Sequence, residues 1–71
     1  MPRFIFTDTK FDFYVGEKDS PDVDQLARDC RSAWQGNMDT FGGGEITRVT
    51  EEASGRIAGW FNNFKGVFVK R

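Results

Sequence analysis

The sequence predicts an α+β fold in which a single helix packs on one face of a mostly antiparallel sheet, in the order β-β-α-β-β-β. Three features predict it: a Phe-rich opening made of two short β-forming runs, one capped amphipathic stretch, and further β-forming runs punctuated by Gly and Asn. The 71 residues suffice for one small domain with a single core, so we expect one domain over residues 1–71.

The opening segment is predicted to be a β-hairpin. Residues 3–7 and 10–15 are rich in β formers and are separated by a polar Asp-Thr pair. A two-residue loop at that pair would place four phenylalanine rings on one face, because side chains alternate along a strand. In this register Phe4 lies opposite Phe13, and Phe6 lies opposite Phe11. We expect these four rings to form the core.

The helix is predicted to begin near Ser20, which is a good N-cap, with Pro21 at the first helical position. Apolar residues then recur at spacings of three and four and form one stripe: Val23, Leu26, Ala27, Cys30, Ala33 and Trp34. Gly36 is expected to end the helix. We expect the apolar stripe to cover the four phenylalanine rings.

Residues 37–44 are predicted to form a flexible Gly-rich loop. Its only apolar anchors are Met38 and Phe41, and a run of three glycines follows them at 42–44. Such a run also suggests a phosphate cradle, but Glu45 comes next, where that motif requires Lys followed by Ser or Thr. A plain connector is therefore the favoured interpretation.

The C-terminal segment begins with a predicted strand at residues 45–50 and then allows two interpretations. A second helix at about 51–64 would align several apolar residues on one side. Gly55 and Gly59 disfavour that helix, because each costs ~1 kcal/mol relative to Ala.

The favoured interpretation of this segment is a β-hairpin. Its strands would be residues 56–61 and 64–70, and the Asn pair between them tolerates a tight turn. This register places Phe61 opposite Phe64 and Ile57 opposite Phe68.

Composition excludes most catalytic chemistry. The chain has no His, the usual general base and zinc ligand, and a single cysteine, Cys30. Because Cys30 lies on the apolar helix stripe, we expect it to be buried and inert. The carboxylate pairs Asp22/Asp24 and Glu51/Glu52 have no catalytic partner. We therefore expect no enzyme activity, no catalytic residue, no metal and no cofactor.

A single cysteine also excludes an intrachain disulfide, which favours a cytoplasmic location. The sequence contains no stretch of ~20 apolar residues, so no membrane span is expected. The net charge of -1 does not favour nucleic acid or an anionic membrane. Residues 1–39 nevertheless carry eight acidic and five basic side chains, against three and five in residues 40–71, and this polarity is expected to separate in space.

One helix covers only one side of a sheet, so the other side is the predicted binding surface. In the predicted register that side gathers Trp60, Val67, Val69, Ile5 and Tyr14, with a fringe of Arg3, Lys10, Arg56 and Lys65. An apolar patch with a charged fringe has the composition of an interface centre. Two alternatives remain open: Trp60 completes the core, or this side forms a homodimer.

Residues 60–66 (Trp-Phe-Asn-Asn-Phe-Lys-Gly) resemble the Trp-Phe-Asn-x-x-Lys-Gly signature of cold-shock domains. In that family the aromatic residues stack on single-stranded nucleic acid. The resemblance implies stacking on Trp60, Phe61 and Phe64, with Lys65 at the phosphate backbone. It covers seven of the 71 residues, and only five residues come after it, whereas in the family the signature precedes a whole barrel.

A broader resemblance spans residues 11–50. A strand, an acidic-capped helix ending in Ala-Trp, a Gly-containing loop and the run Glu-Ile-Thr-Arg-Val resemble small phage host-takeover proteins, such as inhibitors of host RNA polymerase and anti-CRISPR proteins. The resemblance implies a non-enzymatic inhibitor that occludes a site on a larger protein. It also points to Arg48 and Arg56 as residues that contact the partner.

The sequence therefore favours a small binding module whose partner is a larger protein. The candidate partner-binding residues are Trp60, Lys65, Arg56, Val67, Tyr14 and Arg48. Single-stranded nucleic-acid binding by aromatic stacking is the second hypothesis, and homodimerisation is the third.

Overall fold

The computed structural model describes all residues from 1 to 71 and contains five strands and one helix. The elements are β1 (Arg3–Asp8), β2 (Phe13–Asp19), α1 (Val23–Trp34), β3 (Ile46–Glu51), β4 (Ile57–Asn62) and β5 (Val67–Lys70). The strands form one antiparallel sheet in the spatial order β2-β1-β3-β4-β5. The predicted α+β class and element order are confirmed, and residues 51–64 contain β4, the first strand of the C-terminal hairpin, rather than a second helix.

The core lies between α1 and one face of the sheet, which we call the covered face. Strand residues of this face and apolar helix residues are buried together: Phe4, Phe6, Val49, Phe61 and Phe68 from the sheet, and Leu26, Ala27 and Cys30 from α1. Phe41, from the loop after α1, completes the core with its ring edge-on to Phe6 and Phe61, at 5.2 and 5.1 Å between centroids. Each buried Phe stabilises the fold by about 1.5–3 kcal/mol.

The helix begins two residues later than the sequence indicates. Asp22, not Ser20, is the N-cap, and its carboxylate accepts the backbone N–H of Gln25 at 2.8 Å. Ser20 is buried instead, and its hydroxyl donates to the carbonyl of Asp22 at 3.0 Å. The helix ends as expected, since Gly36 follows it with a φ of 83°, a conformation that favours glycine. No helix of this chain has the length and apolar character needed to cross a bilayer.

The first hairpin has a different register from the predicted one. Phe4 pairs with Lys18 and Phe6 pairs with Gly16, so Phe11 and Phe13 do not lie opposite them. These two rings are exposed rather than part of the core. The core prediction was therefore wrong for half of the four rings.

A wider turn causes this shift. The Asp8 carboxylate accepts the backbone N–H of Phe11 at 3.1 Å, which closes a turn that extends to Asp12. Asp12 has a φ of 55°, in the left-handed region that Asp tolerates. A β-bulge then adds one residue to β2 between the partners of Phe6 and Thr7. A two-residue loop offers no room for this side-chain hydrogen bond.

The second hairpin is confirmed, but its turn is also longer than predicted. Phe61 pairs with Phe68 rather than with Phe64, and Phe64 lies exposed in the turn. The Asn62 side-chain oxygen accepts the backbone N–H groups of Phe64 and Lys65, at 2.9 and 3.0 Å, which explains the wider turn. Ile57 does not lie opposite Phe68 either, because the β4–β5 pairs begin only at Gly59; its partner is Thr50 of β3.

The Gly-rich loop is fixed to the sheet by a buried polar network. The Asn63 amide donates to the carbonyl of Gly44 at 2.9 Å and to the Thr47 hydroxyl at 2.8 Å. The Thr47 hydroxyl in turn donates to the carbonyl of Phe41 at 2.9 Å. Phe41 is thus the anchor that the sequence predicted, whereas Met38 is exposed.

Candidate protein-binding face

The side of the sheet turned away from α1, which we call the open face, carries one continuous row of side chains. Cross-strand pairing places Tyr14 beside Thr7, Thr7 beside Arg48, Arg48 beside Trp60, and Trp60 beside Val69. The row therefore crosses all five strands. Neighbouring strands are about 4.8 Å apart, so the row is about 19 Å wide.

Four apolar or aromatic residues of this face form what we call the open-face patch: Tyr14, Trp60, Val67 and Val69. The side chains of Tyr14, Val67 and Val69 are 58%, 46% and 55% exposed. Trp60 is half-buried between its strand neighbours, so it is neither a core residue nor a free side chain. Trp60, Val67 and Val69 lie together on β4 and β5, whereas Tyr14 lies on β2 at the other edge of the sheet. Exposed aromatic and β-branched residues on one face are typical of a surface that contacts another macromolecule.

Both arginines of the open face are paired with carboxylates of the same chain. Arg3 contacts Glu17 and Asp19, each at 2.9 Å, and Arg48 contacts Asp12 at 3.1 Å. Of the predicted basic fringe, Arg3 is thus neutralised by carboxylates of the same chain. The expected separation of charge in space is incomplete, since Asp24 on α1 is itself paired with Lys70 of β5 at 2.6 Å.

These contacts also shift two pKa values on the open face. The Tyr14 hydroxyl donates to Glu17 at 2.8 Å, and this hydrogen bond raises the pKa of Tyr14 above its ordinary value. The hydrogen bond from the Arg3 guanidinium lowers the pKa of Asp19. At neutral pH the face therefore presents a neutral phenol beside paired charges.

The structure brings together four of the six predicted partner-binding residues on the open face: Tyr14, Arg48, Trp60 and Val67. The other two lie at opposite ends of the sheet. Lys65 is exposed in the turn between β4 and β5. Arg56 precedes β4 and lines a shallow cavity of about 630 Å³ together with Arg71 and Val23.

Cys30 lies against the covered face and is buried. Burial raises the pKa of its thiol to about 12, so the thiolate, the reactive form, is not populated near neutral pH. No group of three or more carboxylate or thiol side chains is arranged to hold a metal ion.

Phe61 is 1% exposed and packs in the core, so it presents no surface on which a base could stack. This corrects one part of the stacking arrangement that the cold-shock resemblance implies. Trp60 and Phe64 remain accessible, but they lie in different places, Trp60 in the middle of β4 and Phe64 in the turn after it.

Comparison with protein-family models, with curated protein sequences and with solved structures gives no match for this chain. Its function is therefore inferred from the chain's own residues.

Sequence reasoning missed the side chains at the end of the sheet where β1 meets β2. Alternation assigns Phe11 and Phe13 to the core, and it leaves Asp8 in a loop with no role of its own. One signal was available: an Asp at the end of a strand commonly accepts backbone N–H groups a few residues later and so widens a turn.

Proposed function

We propose that this protein is a non-enzymatic protein-binding module that acts through the open-face patch. The observation that carries the proposal is the row from Tyr14 to Val69, in which Trp60 and Val69 lie side by side at one end and Tyr14 lies at the other, with Thr7 and Arg48 between them. Tyr, Trp and Val side chains have few rotatable bonds, and the one long side chain of the row, Arg48, is held by its ion pair with Asp12. Such a surface loses little conformational entropy when it is covered.

The partner is proposed to be a protein with a largely uncharged, apolar contact surface. Arg3 and Arg48 already have carboxylate partners, so the open face has little free positive charge to offer a polyanion. Binding of nucleic acid depends on cations that can neutralise phosphates, which makes it the less favoured function here.

We further propose that binding is inhibitory and occurs in the cytoplasm. A domain of 71 residues that covers a site on a larger protein can block that site without chemistry of its own, the mode implied by the resemblance to phage host-takeover inhibitors. The single reduced Cys30 supports the cytoplasmic setting.

The test compares two variants that each place a carboxylate at an exposed apolar position. Val69→Asp lies in the open-face patch, and Met38→Asp lies in the loop after α1, where the side chain is similarly exposed. Each protein is used to capture partners from a host lysate, and the captured protein is then purified and titrated against all three chains by calorimetry. We expect a 1:1 complex that Val69→Asp weakens at least tenfold and Met38→Asp leaves unchanged.

Equal weakening by both variants, or by neither, would contradict the open-face assignment. Two further measurements separate the alternatives. Sedimentation at micromolar concentration that shows a dimer disrupted by Val69→Asp would assign the face to self-association. A change in Trp fluorescence on titration with single-stranded oligonucleotides at low salt would assign it to nucleic acid.

A further inference from the structure

A cavity of about 560 Å³ opens at the end of the sheet where β1 ends and β2 begins. Its wall includes three phenylalanines, Phe11, Phe13 and Phe64, and the glycine run at 42–44. The volume is within the usual range for a site that binds a small organic group. None of the open-face patch residues lines the cavity, so ligand binding there does not depend on the function proposed for the open face.

The three phenylalanine rings of the cavity wall are exposed to solvent, unlike the phenylalanines of the core. Their exposed fractions are 68% for Phe11, 46% for Phe13 and 54% for Phe64. Phe11 and Phe13 lie close together, with 6.4 Å between ring centroids. The ammonium group of Lys10 lies 5.3 Å from the centroid of the Phe11 ring, so this cluster already attracts a cation.

Asp8 lines the same cavity and is 1% exposed. One of its carboxylate oxygens, Oδ2, accepts the backbone N–H of Phe11 at 3.1 Å. The other oxygen, Oδ1, is buried and receives no hydrogen bond from the chain. A buried carboxylate oxygen without a donor is destabilising, which sets Asp8 apart from the paired carboxylates elsewhere in the protein.

The glycine run allows this arrangement. A side chain at Gly44 would collide with Asp8 Oδ1, so only glycine can lie over the carboxylate. Gly42 and Gly43 have φ values of 102° and 79°, which also favour glycine. The backbone of Gly44 thus lies directly over Asp8 Oδ1 with no side chain between them, and a ligand that reaches this oxygen must displace Gly44 from it.

We propose that this cavity binds a guanidinium group, which stacks on the exposed phenylalanine rings and donates N–H to Asp8 Oδ1. Guanidinium is planar, weakly hydrated and rich in N–H donors, so it suits both aromatic faces and a carboxylate. A second carboxylate, Glu45, lines the wall, and Lys10 is the only cation there. The two carboxylates outweigh that cation, so the cavity favours a cationic ligand over an anionic one.

The test uses a blocked glycyl-arginyl-glycine tripeptide as the probe and the same peptide with citrulline as the control. Citrulline keeps the shape of the arginine side chain but has no charge. Binding is followed by backbone amide shifts in two-dimensional NMR of the full chain. We expect saturable, millimolar binding of the arginine peptide, with the largest shifts at Phe11 and at the glycine run, and at least tenfold weaker binding of the citrulline peptide.

Two variants distinguish the roles of the carboxylate and of the ammonium in the cavity. Asp8→Asn keeps an acceptor for the Phe11 N–H but removes the charge, and we expect it to weaken binding at least tenfold. Lys10→Gln removes the competing ammonium, and we expect binding to stay the same or to tighten a few-fold. Glu52→Gln, at the other end of the sheet, is the matched control and should have no effect.

No binding of the arginine peptide, or binding that Lys10→Gln weakens, would overturn the proposal. If Asp8→Asn fails to fold, Glu45→Gln replaces it, with an expected weakening of a few-fold, and no weakening there would also overturn the proposal. A comparison of agmatine with the arginine peptide distinguishes the two sources of the group. Tighter agmatine binding indicates a free small molecule, and tighter peptide binding indicates an arginine of another protein.

Discussion

The covered face and the open face of the sheet are made by the same alternating strands, but they use their side chains differently. On the covered face, residues such as Phe4, Val49 and Phe61 are at most 1% exposed and hold the fold together. On the open face, Tyr14 and Val69 are more than half exposed, and the arginines are paired at the surface. The core thus lies on the covered face, and the exposed residues of the open face contribute less to stability, in agreement with the binding role proposed for them. Substitutions should therefore separate the two roles.

The largest difference is expected between two aromatic residues, one on each face. Phe61→Ala removes a ring that contacts Phe41 in the core, and we expect the free energy of unfolding to fall by about 3–5 kcal/mol. Tyr14→Ala removes an exposed ring with one hydrogen bond, and a loss below about 1 kcal/mol is expected. Urea unfolding followed by Trp fluorescence measures both.

Similar losses for Phe61→Ala and Tyr14→Ala would contradict this division of roles. A domain of this size has a total stability of roughly 5 kcal/mol or a little more, so Phe61→Ala is expected to be largely unfolded at 37 °C. Amide dispersion in NMR at low temperature would then replace the urea curve as the readout.

A second contrast concerns two strand glycines with different surroundings. A methyl group at Gly59 would lie 2.7 Å from the Phe68 ring and would also meet the carbonyl of Val69. We expect Gly59→Ala to lower the free energy of unfolding by about 1–3 kcal/mol through overpacking. Gly16, on edge strand β2, has no atom within 4 Å of that position, so Gly16→Ala should be neutral or stabilising by about 0.5 kcal/mol.

Thermal unfolding of both glycine variants gives the comparison directly. If Gly16→Ala is as destabilising as Gly59→Ala, the loss of stability in Gly59→Ala does not come from close packing at the centre of the sheet. A general effect of the substitution on the backbone would then explain both losses.

The burial of the Cys30 thiol is expected to make the stability of the protein depend on pH in the alkaline range. Burial raises the pKa of Cys30 to about 12, above the ordinary value of 9.0 that the unfolded chain has. Between these values the unfolded state loses its thiol proton and the folded state keeps it, so stability falls with rising pH, by up to ~1.4 kcal/mol per pH unit. Cys30→Ala lacks this slope, and the difference between the two proteins isolates it.

Thiol alkylation provides a second readout of the same property. We expect Cys30 to react with iodoacetamide only in denaturant at pH 8, whereas rapid reaction of the folded protein would show that the core is open at this position.

The coarse fold could be predicted from the sequence because its signals are local. The apolar stripe from Val23 to Trp34 has helical spacing, and alternation in β4 put Phe61 and Trp60 on opposite faces as the structure does. The choice of a hairpin over a second helix depended on the glycines, and it is confirmed. Each of these inferences needs only neighbouring residues.

Register could not be predicted in the same way, because side-chain hydrogen bonds decide it. Asp8 and Asn62 each capture backbone N–H groups and lengthen the next turn, which shifts every later cross-strand pair. Alternation still kept Trp60, Val67 and Val69 on the open face, so much of the patch was predicted despite the wrong register. The cavity at Asp8 was not predicted, because it depends on Phe11 and Phe13 being released from the core by that shift.

The smallest effect is expected from an ion pair of the open face. Arg3 lowers the pKa of Asp19, mainly through a hydrogen bond, so this pair stabilises the fold above the ordinary pKa of Asp and the contribution is lost as pH falls through the lowered value. In Arg3→Gln we expect the pKa of Asp19 to return toward its ordinary value, with only a slight change in stability because both groups are exposed. A carboxyl carbon titration by NMR measures it, and Asp24, paired with Lys70, serves as the internal control. A fall in stability comparable to that of Phe61→Ala would show that the open face is part of the scaffold and not a surface left free for a partner.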